Sequence, residues 1–159
     1  MTALDSTAVT AARRPRQVDA RGPRFAAAVT VVVLAVTLLT IPSPVSFVLL
    51  AIQTVAFGLG SLVGLHAQPY GWLFRTLVRP RLAQPTVFED VAPPRFAQTV
   101  GLGFAVVGLI GLITGADVVA YVAVGFALAA AFLNAAFNFC LGCEMYLLGK
   151  RLFGSRAGA

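Results

Sequence analysis

Charge is what this sequence has least of. Only 11% of its 159 residues are charged, whereas 58% are hydrophobic. An ordinary soluble domain has about 25% charged residues, so the shortage excludes a conventional soluble enzyme and indicates an integral membrane protein. The chain also has only 6 acidic residues, 2 cysteines and 1 histidine, which leaves few ligands for a metal centre.

The basic residues, although in excess, do not suggest a nucleic-acid-binding surface. The net charge is +6, but the sequence has no stripe of Lys and Arg with interleaved aromatic residues. The cations flank apolar stretches instead, where they orient helices in a bilayer. We therefore expect the lipid bilayer, and not nucleic acid, to surround this chain.

Four apolar stretches are long enough to cross a membrane, which takes roughly 20 residues of helix. They predict an all-α membrane protein with four transmembrane helices. Short turns at 42–44 and 114–117 join the first stretch to the second and the third to the fourth, so each pair is expected to form an antiparallel hairpin. The stretches are Phe25–Ile41, Val45–Leu65, Phe96–Ile113 and Val118–Phe139.

The positions of the basic residues predict the orientation of these helices. All of them lie before the first stretch, in the central loop or after the fourth stretch, and none lies in the two short turns. By the positive-inside rule, both termini and the central loop face the cytoplasm of a multi-pass inner (plasma) membrane protein. Residues 1–20 are predicted to be a disordered cytoplasmic tail, and 21–156 a single four-helix membrane domain. The basic residues are Arg13, Arg14, Arg16, Arg21, Arg24, Arg75, Arg79, Arg81, Arg95, Lys150, Arg151 and Arg156.

A short sequence recurs at the start of the two hairpins. Residues Asp19–Ala26 and Asp90–Ala97 share Asp, Pro, Arg, Phe and Ala in register. This predicts two hairpin repeats of parallel orientation, about 23–82 and 94–153, in which each hairpin is followed by a cationic interfacial segment. We interpret the shared Pro and Asp as a device that starts a helix; binding of an anionic lipid or a phosphate by the shared Arg is the alternative. The cationic segments are Tyr70–Arg79 and Glu144–Phe153.

Small residues at a spacing of four predict close packing of the membrane helices. Such rows occur on the second, third and fourth stretches and indicate a compact bundle. They include Ala56, Gly60 and Gly64; Ala97, Gly101 and Ala105; Gly111 and Gly115; and Ala123, Ala127, Ala131 and Ala135.

The middle of each stretch has no Asp, Glu, Lys or Arg. Ion pathways usually contain ionisable residues, so a channel or transporter is disfavoured. The notable polar residues of the stretches are Gln53, Asn134 and Asn138, for which we expect interhelical hydrogen bonds. Asn134 and Asn138 are one helical turn apart, and lining a small polar pocket near the cysteines is the alternative for them.

The two cysteines form a Cys-x-x-Cys pair, Cys140 and Cys143. Such a pair can close a disulfide, supply part of a metal site or relay sulfur. A lasting structural disulfide is not expected in a reducing cytoplasm. The alternatives are a redox-active or sulfur-carrying dithiol and an inert pair that merely packs.

The predicted reactivity of the pair depends on Gly142. If the helix continues through Gly142, the negative end of the helix dipole and Glu144 both disfavour the reactive thiolate. If the helix breaks there and a new one starts at Glu144, the Cys143 thiolate lies at a helix N-terminus and is favoured, and Cys140 is the resolving thiol. Glu144 and His66 are the candidates to assist proton transfer.

A metal site is a weaker alternative. Zinc sites usually have three or four Cys, His or carboxylate ligands, and Cys140, Cys143, His66 and Glu144 are the residues expected on one side of the membrane. A lone histidine at a membrane interface is more often a headgroup-contacting or capping residue. We therefore predict neither a metal nor a cofactor.

Several segments resemble an uncharacterised bacterial membrane family, domain of unknown function 4395, which is common in actinobacteria. The resemblance covers Val18 to Phe153, and Phe139–Tyr146 ("FCLGCEMY") is its most specific part. The family has no settled activity. Its members are often found near thioredoxin-like and rhodanese-like sulfur-handling proteins, so the resemblance implies a thiol or sulfur-relay role for the two cysteines and a cytoplasmic partner of these types. The other matching segments are Pro23–Ala26, Pro69–Leu82 and Pro94–Ala97.

A looser likeness is to the four-helix quinone-linked thiol oxidoreductases such as the vitamin K epoxide reductases. These also place a Cys-x-x-Cys on a four-helix bundle. This chain departs from them because it has no second cysteine pair and its one pair is expected on the cytoplasmic side. The likeness therefore gives quinone reduction little support.

From the sequence we predict an integral membrane protein whose cytoplasm-facing dithiol exchanges electrons or sulfane sulfur with a soluble partner. The main alternative is a non-enzymatic membrane scaffold whose basic interfacial segments dock a partner. A small transporter for a sulfur species and a metal site are weaker alternatives.

Overall fold

Six α-helices and one two-stranded antiparallel sheet make up residues 17–84 and 87–154, the parts of the chain that a computed structural model describes. Helix α2 continues as a π-helix over Leu59–Val63. Helix α3 continues as a π-helix over Phe74–Val78 and a 3₁₀ turn over Arg79–Arg81. The elements are β1 (Gln17–Asp19), α1 (Arg21–Thr40), α2 (Pro44–Gly58), α3 (Pro69–Leu73), β2 (Phe88–Asp90), α4 (Ala92–Thr114), α5 (Asp117–Phe137) and α6 (Leu141–Gly154).

Four helices, α1, α2 with its π-helical extension, α4 and α5, are long and apolar enough to cross a membrane, with 20 to 23 residues each. This confirms the predicted helical membrane protein with four candidate spans. Helices α1 and α4 begin one turn before the predicted stretches, at Arg21 and Ala92. Proline is tolerated in a first turn because its missing N–H is not needed there, so Pro23 and Pro94 fit these starts.

The four long helices form a closed ring. Helix α1 packs against α2 and α5, and α4 packs against the same two helices. The core between them contains Leu34, Leu50, Ala105 and Val124, which are at most 1% exposed. A methyl group on Gly111 of α4 would lie 2.8 Å from the backbone nitrogen of Ala120 in α5. These two helices are therefore closer than any side chain at 111 would allow, which confirms the close packing predicted for this small residue.

A buried glutamine links three helices. Gln53 of α2 is fully buried, and its Nε2 donates to Oγ1 of Thr30 in α1 at 3.4 Å. The hydroxyl of Tyr70 in α3 donates to its Oε1 at 2.9 Å. Burial raises the pKa of Tyr70, which keeps this donor protonated. The predicted interhelical role of Gln53 is confirmed, because a buried amide needs such partners.

The starts of α1 and α4 are joined by the two short strands. Strand β1 pairs with β2 in antiparallel register, with Val18 opposite Glu89 and Gln17 opposite Asp90. Residues 1–16 of the predicted tail lie outside the described residues. The last part of that predicted tail is ordered, because the backbone of 17–19 finds hydrogen-bond partners in the segment before α4.

The shared arginines of the repeated sequence each bind the carbonyl end of another helix. Arg24 at the start of α1 donates through Nε to the Ala135 carbonyl oxygen at 3.1 Å and through Nη2 to that of Ala136. Arg95 at the start of α4 donates to the carbonyl oxygens of Ser61 and Leu62 at 2.7 and 2.9 Å. The last carbonyls of a helix have no partner within it, so both exposed guanidinium groups satisfy the end of a neighbouring helix.

The shared aspartates accept hydrogen bonds from backbone N–H groups at the helix starts. Asp19 accepts the backbone N–H of Arg21 at 3.0 Å and also pairs with its guanidinium at 3.1 Å. Asp90 accepts the backbone N–H of Ala92 at 3.1 Å. Burial by itself would raise the pKa of Asp19, but the hydrogen bonds and charge of Arg21 outweigh it and hold the pKa below the ordinary value of 3.8.

We expect Asp19→Asn to lower the free energy of unfolding at pH 7 by about 0.5–1 kcal/mol, because the ion pair with Arg21 is half-exposed. A lowered folded-state pKa gives stability that is present above the ordinary value and is lost as the pH falls through the folded-state pKa. The two proteins should therefore converge in acid. Thermal unfolding in detergent over a pH series measures this difference.

The control for that experiment is Asp90→Asn, since within the described residues Asp90 has no arginine in a salt bridge. It should cost less stability and show a weaker pH dependence. Equal losses for both variants at every pH would contradict the assigned role of the Asp19–Arg21 pair.

Candidate functional site

The chain breaks between α5 and α6 at Asn138, four residues before Gly142. Asn138 has a left-handed backbone with a φ of 56°, and its N–H donates to the carbonyl of Asn134 at 3.1 Å. The N–H of Phe139 reaches back to the carbonyl of Leu133 at 3.2 Å. Asparagine is one of the few residues other than glycine that end helices in this way, and this was the sequence signal for the break.

Arg24 holds the same turn from the side of α1. Its two carbonyl partners, Ala135 and Ala136, belong to the last turn of α5, directly before Asn138. Arg95 makes the corresponding bonds at the end of the π-helical extension of α2, where no cysteine follows. The arginine of the first repeat therefore positions the chain that leads into the cysteine pair.

Cys140 occupies the position directly before α6, and Cys143 lies in the first turn of that helix. The carbonyl of Cys140 accepts the N–H of Glu144 at 3.0 Å, and its Sγ accepts the N–H of Cys143 at 3.3 Å. These two bonds are those of an N-cap residue. From the sequence we expected either a continuous helix or a break at Gly142. In the structure the break is at Asn138, and α6 begins at Leu141.

The two sulfur atoms are joined as a disulfide, and the Cα atoms are 5.2 Å apart. That separation lies within the usual range for disulfides. The sequence disfavoured a lasting disulfide because of the expected compartment. The geometric requirement for a disulfide is nevertheless met, because one turn at the start of α6 brings Cys140 and Cys143 together. Both residues are half-buried.

Gly142 has a packing role and does not break the helix. It is buried within the first turn of α6, and a methyl group there would lie 2.7 Å from the Cα and 2.8 Å from the Cβ of Ala97 in α4. The rings of Phe96 and Tyr146, with centroids 5.8 Å apart, hold the same two helices together further along α6. Contact with α4 thus fixes the turn that carries the cysteines.

A cavity of about 320 Å³ opens beside the cysteines, and we call it the cysteine cavity. Its walls come from α1, α2, α4, α5 and the first turn of α6, and they are chiefly apolar. Asn134, Asn138, Cys140 and Cys143 are among its lining residues. Within the described residues the two asparagine side chains do not make the expected interhelical hydrogen bonds. They follow the alternative and line a pocket beside the cysteines, but this pocket is chiefly apolar and not polar. Members of the predicted small-residue rows also line it, namely Ala97, Gly101, Ala127 and Ala131.

The other predicted site residues are not part of this cavity wall. Glu144 is exposed and contributes its backbone N–H to the cap of α6. His66 is exposed beyond the end of α2, and its carbonyl accepts a hydrogen bond from Arg75 at 2.7 Å. Across 17–84 and 87–154, the structure has no group of three His, Cys, Asp or Glu side chains that could hold a metal ion. His66 is thus not brought together with Cys140 and Cys143 in a metal-binding group.

Four membrane-length helices and a cysteine pair at the start of a further helix define a multi-pass helical membrane protein with a disulfide-forming pair. The chain belongs to the family described as domain of unknown function DUF4395, whose sequence profile matches residues 18–151. No curated protein and no solved structure matches the chain. The family assignment from the sequence is therefore confirmed.

We expect Gly142→Ala to destabilise the protein by about 1–3 kcal/mol, the usual cost of an added methylene in a well-packed contact. The new methyl group would force α6 away from Ala97. Gly149→Ala on the same helix is the matched control, because an added methyl there meets nothing within 4 Å. Thermal unfolding in detergent compares them, and an unchanged unfolding temperature for Gly142→Ala would refute the contact.

We expect Arg24→Ala to loosen the turn at Asn138, since two carbonyl groups lose a charged donor. Amide hydrogen exchange over 138–143 should accelerate by about tenfold or more, as the loss of one such bond implies. Arg95→Ala is the control, because it acts on the end of the π-helical extension of α2. Equal effects of the two variants on 138–143 would show that Arg24 does not position this turn.

Proposed function

We propose that this protein is a membrane-embedded thiol–disulfide exchange protein whose reacting couple is Cys140 and Cys143. The observation that carries the proposal is the position of Cys140 directly before α6, with its Sγ accepting the Cys143 N–H. Amides and the positive end of the dipole at a helix N-terminus stabilise a thiolate, which is the reactive form of cysteine.

Cys140 is the attacking thiol in this proposal, and Cys143 is the resolving thiol. This reverses the assignment made from the sequence, which placed the helix start after Cys143. The reversal rests on the helix beginning at Leu141, so that the sulfur of Cys140 receives the amide hydrogen bond. Glu144 directly follows Cys143 and is exposed. It is a candidate to take up the proton that a cysteine thiol releases on the exposed side of the pair. No role is assigned to His66.

The proposed partner is a soluble dithiol protein of the thioredoxin-like or rhodanese-like kind. Its thiolate attacks Sγ of Cys140, the Cys143 thiolate leaves, and the second partner thiol then releases Cys140 from the mixed disulfide. In the reverse direction the Cys140 thiolate is the attacking group and Cys143 resolves the mixed disulfide. The partner is oxidised by two electrons and the Cys140–Cys143 pair is reduced by two. A sulfane sulfur carried on Cys140 is the related alternative for a rhodanese-like partner.

We infer that the cysteines face the cytoplasm. The bonds of Arg24 and Arg95 support this, because they bring the starts of α1 and α4 to the same end of the bundle as the ends of α5 and α2. Arg21, Arg24 and Arg95 lie at that end, and by the positive-inside rule we infer that it faces the cytoplasm at the inner membrane. The segments Tyr70–Arg79 and Glu144–Phe153 then lie at that membrane surface, with cations at headgroups.

We also infer that the bundle is built from two hairpin repeats related by a two-fold axis along the membrane normal. The β1–β2 register supports this, since Val18 and Glu89 pair with each other and each directly precedes the Asp that starts a copy. The arginine bonds support it as well, because each repeat supplies one guanidinium to the other. The cysteine pair occurs in the second repeat alone.

Single-cysteine variants test the proposed roles. At pH 7 we expect iodoacetamide to alkylate Cys140 in the Cys143→Ser protein about tenfold faster than Cys143 in the Cys140→Ser protein, because a larger fraction of Cys140 is thiolate. The Cys143→Ser protein should also form a stable mixed disulfide with a thioredoxin that carries one activated thiol. A membrane-impermeant thiol reagent should label the pair only after the cytoplasmic side is opened.

The double variant Cys140→Ser/Cys143→Ser is the control. If it supports growth fully in cells that depend on the protein, and no adduct forms on the wild-type thiols, thiol exchange is not the function and the scaffold alternative stands. Equal alkylation rates at the two positions would overturn the assignment of Cys140 as the attacking thiol while leaving exchange itself intact.

A further inference from the structure

We propose that the cysteine cavity binds the ring of a lipophilic quinone, which oxidises the reduced Cys140–Cys143 pair back to the disulfide. This inference rests on the proposed thiol exchange and adds the electron acceptor. A cytoplasm-facing pair that is reduced by a soluble partner needs an oxidant for each new cycle. The cavity offers a route from the cysteines into the membrane, where lipophilic two-electron acceptors are dissolved.

The cavity joins the cysteines to the apolar part of the bundle. Its wall on α4 runs from Ala97, which contacts the first turn of α6, to Phe104. Seven residues of helix cover about 10 Å. Helix α4 is one of the four candidate membrane spans, so the far end of the cavity lies below the membrane surface while the near end reaches the disulfide.

The size and lining of the cavity fit a substituted aromatic ring. An apolar cavity of roughly 150 Å³ is large enough to bind benzene, and this one has about 320 Å³. Phe57, Phe104 and Phe126 form apolar walls. The rings of Phe104 and Phe126 stack at 6.0 Å with an interplanar angle of 24°, and a planar ligand can pack against such a surface.

The cavity wall includes polar side chains that can donate hydrogen bonds to the carbonyl oxygens of a quinone, among them Asn134, Asn138 and Gln98. Asn134 and Asn138 line the cavity together with the two cysteines, and their side-chain amides make no protein hydrogen bond within the described residues. Both residues are at least partly accessible. Two charged residues also line the wall, Arg24 and Glu89, but the Arg24 guanidinium is bound to the carbonyls that end α5. An uncharged ligand with two acceptors therefore suits this site.

The oxidation step balances without a further reactant. The two S–H bonds of Cys140 and Cys143 break and one S–S bond forms, which releases two electrons and two protons. The quinone takes up both electrons and both protons, and its two carbonyl groups become hydroxyl groups. The hydroquinone leaves into the bilayer, and the disulfide is ready for the next dithiol partner.

Quinone reduction had little support in the sequence because the chain has one cysteine pair and a cytoplasmic orientation was expected. In the proposed cycle the soluble partner supplies the second dithiol, so one pair in the membrane is sufficient. The orientation does not exclude a quinone, because the cavity reaches the cysteines from inside the bundle.

The test uses the purified full chain in phosphatidylcholine nanodiscs, reduced and then freed of reductant, with decylubiquinone as the probe. We expect loss of quinone absorbance and of protein thiols in step, with one quinone consumed per protein. Ala130→Phe fills the cavity wall on α5 and should slow this oxidation by about tenfold or more, as a lost ligand contact surface of this size implies. Ala129→Phe, on the adjacent exposed position of the same helix, should react at the wild-type rate.

Further variants keep the test decisive. Ala130→Val occupies less of the cavity, should slow the reaction by a smaller factor, and replaces Ala130→Phe if that variant does not fold. The double serine variant should leave decylubiquinone oxidised.

The outcomes separate this inference from the function on which it rests. If the wild-type protein exchanges with thioredoxin but leaves decylubiquinone oxidised, or if Ala130→Phe matches the wild-type rate, the quinone site is wrong and thiol exchange stands. If phospholipid occupies the cavity and decylubiquinone does not displace it, the cavity is a lipid site and the inference is overturned. If the protein reacts with neither thioredoxin nor quinone, both proposals fail.

Discussion

The carbonyl groups that end a membrane helix must find donors, and in this protein two arginines supply them across the bundle. Arg24 at the start of α1 bonds to the end of α5, and Arg95 at the start of α4 bonds to the end of the π-helical extension of α2. A charged side chain in an apolar chain is costly unless its donors are used. The same contacts therefore satisfy the guanidinium groups and the helix ends, and they bring four helix termini together.

The cysteine pair depends on this arrangement. Arg24 holds the last carbonyls of α5, Asn138 then reverses the backbone, and α6 starts with Cys140 at its cap. Gly142 lets the first turn of α6 lie against Ala97 without a clash. Small residues have two roles in the bundle. Gly111 allows α4 and α5 to be in contact, and Ala127 and Ala131 line the cysteine cavity, where larger side chains would fill it.

Much of the fold was predictable, because length and hydropathy are properties of the chain itself. The four long helices follow from apolar stretches that suit a bilayer, and the proline positions explain why α1 and α4 start a turn earlier. The site was predictable only in part. The Cys-x-x-Cys spacing identified the pair, and the one-turn spacing of Asn134 and Asn138 offered a position near the cysteines only as an alternative to interhelical hydrogen bonds. The break at Asn138 was missed because glycine is the more usual residue at a helix end, so the break was expected at Gly142.

The sequence by itself determined that the chain is a helical membrane protein with one cysteine pair, since composition and spacing act locally along the chain. It did not decide which cysteine caps the last described helix, what Gly142 packs against or where His66 lies relative to the pair. Those depend on contacts between residues far apart in sequence, such as Arg24 with Ala135 and Gly142 with Ala97. Such contacts follow from how the helices pack, and only the tertiary structure specifies that packing.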